Sequence, residues 1–234
     1  MTPVPKPVRR VWEEWKRAVD PLRTANAVIR RNLRLNASYA RGQLLDIGCG
    51  SKPYQDLFTV ARYTGVDLPG TFQGAQDVYA SGLALPFCSS VFDTVLSTEV
   101  LEHVPEPSQL LGEAYRVLRP GGYLLLTTPQ TWGLHHVPYD YYRYTPFGLR
   151  YLAEKNGFKV IRIYPTTGFW VTFTQRLCDV IFYTDGVPNF PRLIGEVIKL
   201  PLAAIQLSGV ALEAVWGRRG DTLDNVLIAQ RPEA

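Results

Sequence analysis

From residue 43 onward, short apolar runs alternate with stretches of helical periodicity. Gln43 to Ile47 reads as a strand stopped by Gly48-Cys49-Gly50, Tyr63 to Val66 as a second strand ending at Asp67, and Ala75 to Ala80 as a weaker third. Thr94 to Ser97, Tyr123 to Thr128, Lys159 to Tyr164 and Asn225 to Gln230 complete a set of seven. Helical spacing fills the gaps at Pro107 to Leu118 and Pro146 to Asn156, and the turn Arg119-Pro120-Gly121-Gly122 ends the first of these. Such alternation predicts an α/β fold, a mostly parallel sheet of seven strands with flanking helices and right-handed crossovers.

Both ends of this core are elaborated. Trp12, Trp15, Val19 and Leu22 follow a helical spacing, and Ala25 to Leu35 predicts a second helix. Residues 1–41 hold ten Lys/Arg against three acids, a net +7, so the rest of the chain is at −3 and the overall +4 belongs to a basic N-terminal extension. That asymmetry argues against nucleic acid as the partner of the main body, residues 42–234. Between the sixth and seventh strands lies a helical insertion, residues 166–220, with helices predicted over Trp170 to Tyr183 and Arg192 to Trp216. Leu200 to Leu212 is apolar but carries Pro201, Gln206, Ser208 and Gly209 and falls short of the ~20 residues of a membrane span. Burial against the core or in a homodimer is its expected fate; peripheral membrane contact, serving a lipid-like acceptor, is the alternative.

The 234 residues fit one generous domain, and 46% hydrophobic with 20% charged residues excludes a disordered polyampholyte or a fibrous repeat. Cys49, Cys88 and Cys178 are an odd number at wide spacing, which excludes a disulfide framework or a cysteine-built zinc site. With no apolar signal region near the start, a cytoplasmic location is expected, at the membrane periphery in the alternative case.

The strongest local signal is Leu44-Leu45-Asp46-Ile47-Gly48-Cys49-Gly50, an apolar strand running into a glycine-bounded turn at the strand's carboxyl end, where open α/β sheets bind ligands. Asp67 ends the next strand about twenty residues on, the position of a carboxylate that accepts ribose hydroxyls. The third glycine of a dinucleotide fingerprint is missing, since Ser51, Lys52 and Pro53 follow Gly50.

Taken in order, LLDIGCG, TGVDL (64–68), LALPF (83–87), VFDTVLSTEVLEHV (91–104), EAYRVLRPGGYLLLTTP (113–129) and YDYYRYTPFGLRYLAEKNGF (139–158) resemble the class I S-adenosylmethionine-dependent methyltransferases, of the small-molecule, type 11-like group. The resemblance implies a Rossmann-like sheet and S-adenosyl-L-methionine as cofactor. It places Asp46, Gly48, Cys49 and Gly50 around the methionine part, Asp67 on the ribose diol and Leu68 against adenine. Ser81 and Gly82 fall where the family usually has an Asp beside the adenine amine, and Thr98 and Glu99 lie beside the reacting end. It also implies methyl transfer to an oxygen or nitrogen of a small-molecule acceptor, under the segment 132–144.

Three histidines, His103, His135 and His136, are the candidate catalytic residues, in that order, because a neutral imidazole can take a proton from an acceptor that arrives protonated. A structural role for His103, and for Glu102 beside it, is the competing reading. Tyr139 and Tyr142 are candidate acceptor contacts, with Arg143 and Tyr144 tying the segment to the following helix. No metal site is expected, because adjacent histidines rarely converge on one ion and no H-x-x-x-H spacing occurs. Cys49 lacks an evident base and is not a nucleophile. Two alternatives stay open: a lipid or isoprenoid acceptor at a membrane surface, and a catalytically silent cofactor-binding partner protein.

Overall fold

A computed structural model describes residues 23–70, 75–184, 187–188 and 192–233. The helical spacing of Trp12 to Leu22 lies outside them. The strands are β1 (Gln43–Ile47), β2 (Arg62–Asp67), β3 (Val78–Tyr79), β4 (Phe92–Thr98), β5 (Leu118–Pro129), β6 (Lys159–Pro165) and β9 (Asp224–Gln230), joined in one sheet of order β3-β2-β1-β4-β5-β9-β6. Only β9 runs antiparallel, inserted between β5 and β6. A two-stranded hairpin, β7 (Tyr183–Thr184) and β8 (Val187–Pro188), stands apart.

Side chains of a strand point alternately to its two faces, so a sheet covered on both sides needs unbroken apolar runs. Leu45, Ile47, Val95, Leu124, Leu126 and Leu227 face the helices α2 (Pro107–Val117) and α3 (Pro146–Lys155) through Leu110, Leu111, Ala114 and Leu149. Their neighbours Leu44, Leu96, Leu125, Val226 and Ile228 meet Ile29 and Leu33 of α1 (Arg23–Leu35) on the other face. The basic helix α1 is therefore one layer of the core, with Arg30 paired to Asp56 and Arg41 bound to the carbonyl of Gly121 at 2.9 Å. Each fully buried leucine here contributes about 1.5–3 kcal/mol through removal from water.

Two local patterns differ from the sequence reading. The third strand shrinks to Val78–Tyr79. Arg119 to Gly122 does not separate helix from strand: β5 begins at Leu118, pairs Phe92, and resumes at Tyr123 opposite Thr94, so the glycines form an irregularity inside a longer strand. Between β1 and β2 no α-helix forms; Pro53 stands in this segment, which holds one 3-10 turn at Gln55–Leu57.

The insertion folds as α4 (Phe169–Phe182) packed on α5 (Arg192–Trp216). Glu213 of α5 accepts the N–H groups of Gly168 and Val171 at 2.8 and 3.2 Å, satisfying the free donors at the start of α4. Gly209 lets the helices touch, since a Cβ there would stand 2.0 Å from Thr174 Oγ1. The helix α5 has the predicted bounds and runs through Pro201, but its apolar stretch extends beyond Leu200 to Leu212 at both ends. Val197–Trp216 covers 20 residues with a mean hydropathy of 1.5, long enough for a membrane span by length and composition, and 28% of it is buried.

Candidate functional site

Parallel strands deliver their carboxyl ends to one edge, and the candidate residues gather there. Beyond β1 the chain reverses through Gly48 and Gly50, with φ of 70° and 51°, a conformation that disfavours any side chain. A Cβ on Gly48 would stand 2.3 Å from Val100 Cγ2, so space as well as backbone demands glycine. The N–H groups of Gly48 and Cys49 donate to the carbonyl of Val66 at 2.9 and 3.2 Å, fastening the turn to β2. Asp67, at the end of β2, accepts the N–H of Gly50 on Oδ2 at 2.8 Å and that of Leu68 on Oδ1 at 2.7 Å. Each carboxylate oxygen keeps a second lone pair, and the 51% exposed Leu68 side chain adjoins it.

Asp46 lies beneath this turn, 2% exposed, with Tyr63 donating to Oδ2 at 2.5 Å and Oδ1 without a partner. Burial pushes its carboxyl up to about 7, against the hydrogen bond from Tyr63. Cys49 is buried and its thiol is pushed up to about 12 by that burial, so it is no nucleophile at neutral pH. Ser81 spends its hydroxyl oxygen on the N–H of Leu83 at 3.1 Å, inside its own turn. A Cβ on Gly82 would meet Ile47 Cγ2 at 2.9 Å, so that glycine serves packing.

β4 and β5 are neighbours, so the loops that leave them meet. Past Thr98, Glu99 takes a left-handed φ of 55° and donates its N–H to the Thr127 carbonyl at 3.0 Å. Burial raises the Glu99 carboxyl to about 7, and its Oε1 has no partner. Asp224 at the start of β9 is pushed well up by burial and then by the charge of Glu99. Glu102 is wholly buried: Oε2 accepts from Thr128 Oγ1 at 3.2 Å, while Oε1 is unpartnered. Burial, then the nearby Glu99, pushes its carboxyl well above the usual carboxylate range.

The three predicted histidines stand together, edge to face, with ring centroids 4.6 Å apart for His103 and His135, 5.1 Å for His103 and His136, and 5.4 Å for His135 and His136. Burial lowers the basicity of His103 and His135. Nδ1 of His103 lies 2.8 Å from the carbonyl of Tyr139, and Nδ1 of His135 lies 3.1 Å from that of Gly133. A carbonyl only accepts, so each Nδ1 carries its hydrogen and each Nε2 keeps its lone pair. Both Nε2 atoms face Glu102 Oε1, at 3.6 and 4.0 Å.

The segment 132–144 is closed by one guanidinium. Arg143 grips Asp140 through both carboxylate oxygens at 2.6 and 2.7 Å and also donates to the carbonyls of Trp132, Gly133 and Tyr142. Burial opposes ionisation of Asp140, but Arg143 and the His135 N–H hold its carboxyl at about 2. The N–H groups of Tyr141 and Tyr142 donate to the Glu102 carbonyl at 2.9 and 3.2 Å, joining the segment to the β4 loop. Tyr144 is buried and ties the segment to Leu101 and Pro129, the structural role expected of it. Tyr139 and Tyr142 are 63% and 39% exposed, and the Tyr142 hydroxyl donates to the carbonyl of Pro105 at 3.1 Å.

Sequence spacing did not single out Glu102 as the centre of this cluster, Tyr63 as the partner of Asp46, or Asp224 as the third buried acid. Only the position of Glu102 beside His103 hinted at its place. Adjacent histidines without an H-x-x-x-H spacing argue against a metal in the sequence, yet the ligand atoms that converge in the fold belong to Glu102, His103 and His135, within 4.8 Å of one another.

The residues at the β1 and β2 ends fit S-adenosylmethionine. The glycine turn admits a close backbone approach, Asp67 is held rigid with lone pairs for a diol, and the partnerless oxygens of Asp46 and Glu99 suit the cationic amino end. The profile of a methyltransferase domain matches residues 45–126. An uncharacterized methyltransferase of Mycolicibacterium paratuberculosis is 34% identical over 171 residues, 66% of this chain and 67% of that protein. One of Mycobacteroides abscessus is 34% identical over 193 residues, 72% of this chain and 74% of that one. Among solved structures, the Haemonchus contortus phosphoethanolamine N-methyltransferase 2 in complex with S-adenosyl-L-methionine shares the fold, with a TM-score of 0.55, 19% identity, and coverage of 86% of this chain and 53% of that one. Fold, glycine turn and relatives agree, and the chain belongs to the class I S-adenosylmethionine-dependent methyltransferases.

Proposed function

We propose that the protein methylates an oxygen or nitrogen of a small-molecule acceptor seated beneath the segment 132–144. The observation that carries this reading is the joining of two loops at one sheet edge. The cofactor cradle stands at the ends of β1 and β2, and the polar cluster of Glu102, His103 and His135 stands at the ends of the adjacent β4 and β5.

When bound, the cofactor supplies an electrophilic methyl group on a sulfonium. The work of this chain is to hold, orient and exclude water. Asp67 fixes the nucleoside end through its remaining lone pairs, and the Gly48–Gly50 turn sets the approach of the backbone. Asp46 and Glu99 offer unpartnered carboxylate oxygens to the amino group. The Arg143–Asp140 clamp holds the 132–144 segment over the site, and the exposed rings of Tyr139, Tyr141 and Tyr142 give the acceptor an aromatic wall. His103 and His135, with Nδ1 committed to carbonyls, orient the polar atom of the acceptor from one side. Alignment of this kind lowers barriers by about 7–11 kcal/mol in favourable intramolecular systems.

A second reading, a lipid acceptor taken at a membrane surface, is favoured by one observation. Val197, Leu200, Leu207, Val210 and Val215 of α5 and Phe173, Leu177 and Val180 of α4 are all exposed. One experiment separates the readings: incubation with isotopically labelled S-adenosylmethionine and a cell extract fractionated into water-soluble metabolites, lipids and nucleic acids. Label in the metabolite fraction is expected. Label confined to lipid, with sedimentation of the protein on anionic vesicles, moves the assignment to the second reading, and label confined to nucleic acid overturns both.

A further inference from the structure

Glu102 Oε1, His103 Nε2 and His135 Nε2 make an arrangement that is incomplete as it stands. A fully buried carboxylate oxygen and two imidazole lone pairs all face one point, and among the described residues Oε1 has no hydrogen-bond donor. Buried acceptors without donors are costly, and three of them converging repel one another unless a proton held by the raised Glu102 carboxyl or a cation lies between. The Arg143 guanidinium does not fill this place, because its nitrogens are spent on Asp140 and three carbonyls.

We propose that Glu102, His103 and His135 bind a first-row divalent cation, such as Zn²⁺, Mn²⁺ or Fe²⁺, with its open side toward the acceptor. The dimensions fit. Ligand bonds of about 2.0–2.1 Å in a tetrahedron place neighbouring ligand atoms about 3.4 Å apart. The carboxylate oxygen lies 3.6 Å from one Nε2 and 4.0 Å from the other, and all three ligand atoms fall within 4.8 Å, so closing the set on a cation takes a few tenths of an ångström at the carboxylate and up to about 1.4 Å between the two rings, a movement within reach of side-chain rotation.

The surroundings are those of a ligand shell. Each imidazole that binds through Nε2 is steadied when its Nδ1–H donates to a fixed acceptor, here the carbonyls of Tyr139 and Gly133. Asp140 Oδ2, 3.4 Å from His135 Nδ1, supports the second ring and is itself gripped by Arg143. Thr128 fixes the other carboxylate oxygen of Glu102, and the Tyr141 and Tyr142 N–H groups fix its backbone. Two imidazoles with one carboxylate suit borderline transition metals, whereas Mg²⁺ and Ca²⁺ prefer sites built wholly from oxygen. Three protein ligands leave at least one position free. On the reading of the site given above, that position takes the oxygen or nitrogen of the acceptor and orients it toward the methyl group.

The test reads the cation itself, not turnover. The whole 234-residue chain is stripped with a chelator, and Zn²⁺ and the spectroscopic probe Co²⁺ are titrated in by calorimetry and visible absorption, alongside Glu102→Gln, His103→Ala and His135→Ala. The expected result is one cation per chain, a Co²⁺ spectrum of mixed nitrogen and oxygen ligation, and affinity at least 10-fold weaker in every variant. Circular dichroism identifies any variant that fails to fold, and His103→Ala, at a half-buried position, carries the comparison if Glu102→Gln does. No stoichiometric binding by the wild-type chain, or binding that His103→Ala and His135→Ala leave unchanged, overturns the proposal. A cation bound as expected without methyl transfer to any acceptor leaves this site standing and removes the reading on which its role rests. Full transfer by a chain that binds no cation does the reverse.

Discussion

Asp67→Ala separates the cofactor account into two measurable parts. The carboxylate does two things at once: its oxygens accept the N–H groups of Gly50 and Leu68 at 2.8 and 2.7 Å, and its remaining lone pairs face outward for the ribose diol. Hydrogen bonds to a charged group contribute about 1.5–3 kcal/mol each. Loss of two bonds to ribose hydroxyls therefore weakens cofactor binding by about 3–6 kcal/mol, or roughly 100- to 20,000-fold in Kd at about 1.4 kcal/mol per decade. Loss of the two backbone bonds lowers folding stability by about 1–3 kcal/mol, since the freed N–H groups partly regain water. Calorimetric titration with S-adenosylhomocysteine, and with its analogue lacking both ribose hydroxyls, distinguishes the parts. The wild-type chain is expected to bind the analogue about as weakly as Asp67→Ala binds either ligand, so that the variant no longer discriminates. If Asp67→Ala weakens both ligands by the same factor and keeps the full preference for the diol, Asp67 acts only through the turn and the ribose contact is refuted.

Gly48→Ala is expected to cost about 2–4 kcal/mol of stability, part from the left-handed backbone and part from the clash with Val100. Adding Val100→Ala should return about 1–2 kcal/mol in denaturant unfolding, whereas strictly additive losses would show that the two residues do not touch. Asp46 binds a proton more tightly folded, at about 7, than unfolded, near 3.9, so its contribution to the stability of the cofactor-free protein should be lost as pH rises from about 4 to about 7, adding to the losses from Glu99, Glu102 and Asp224, whose carboxyls burial also raises. Asp46→Asn should flatten that dependence, measured by urea unfolding across the range, and an unchanged slope would count against the shift. Arg143→Lys replaces the two-pronged grip on Asp140 with a point charge. Chymotryptic cleavage within 132–144 should speed up about 10-fold or more while S-adenosylhomocysteine affinity holds within about twofold, and an unaltered cleavage rate would remove the clamp from the account.

The sheet was legible in the sequence because its strands are buried on both faces. Leu44 and Leu45, or Leu124, Leu125 and Leu126, are all apolar whichever way they point, and such runs stand out from helical spacing. The glycine turn and Asp67 were legible for the same reason, fixed offsets from a strand end. What escaped was set by contacts between distant segments. The basic spacing of α1 gave no sign that Ile29 and Leu33 cover a sheet face, and the 3-10 turn after β1 follows from local chemistry around Pro53 that periodicity does not register. Glu102 and His135 are 33 positions apart, and they meet only because β4 and β5 are adjacent and Arg143 folds the second loop back on the first. A histidine pair judged by sequence neighbours looks at His136, whereas the partner in space is His103.

The central claim is methyl transfer from S-adenosylmethionine, and its most direct test counts turnovers. The purified chain is incubated with cofactor carrying a deuterated methyl group and a water-soluble metabolite extract, and mass spectrometry follows S-adenosylhomocysteine and labelled products together. The account predicts S-adenosylhomocysteine in excess of the enzyme, matched by a metabolite that has gained one labelled methyl group, with both falling away in Asp67→Ala at cofactor concentrations that saturate the wild-type chain but lie below the variant's weakened Kd. Stoichiometric cofactor binding with no S-adenosylhomocysteine formed and no labelled metabolite would contradict it and make the protein a silent cofactor binder.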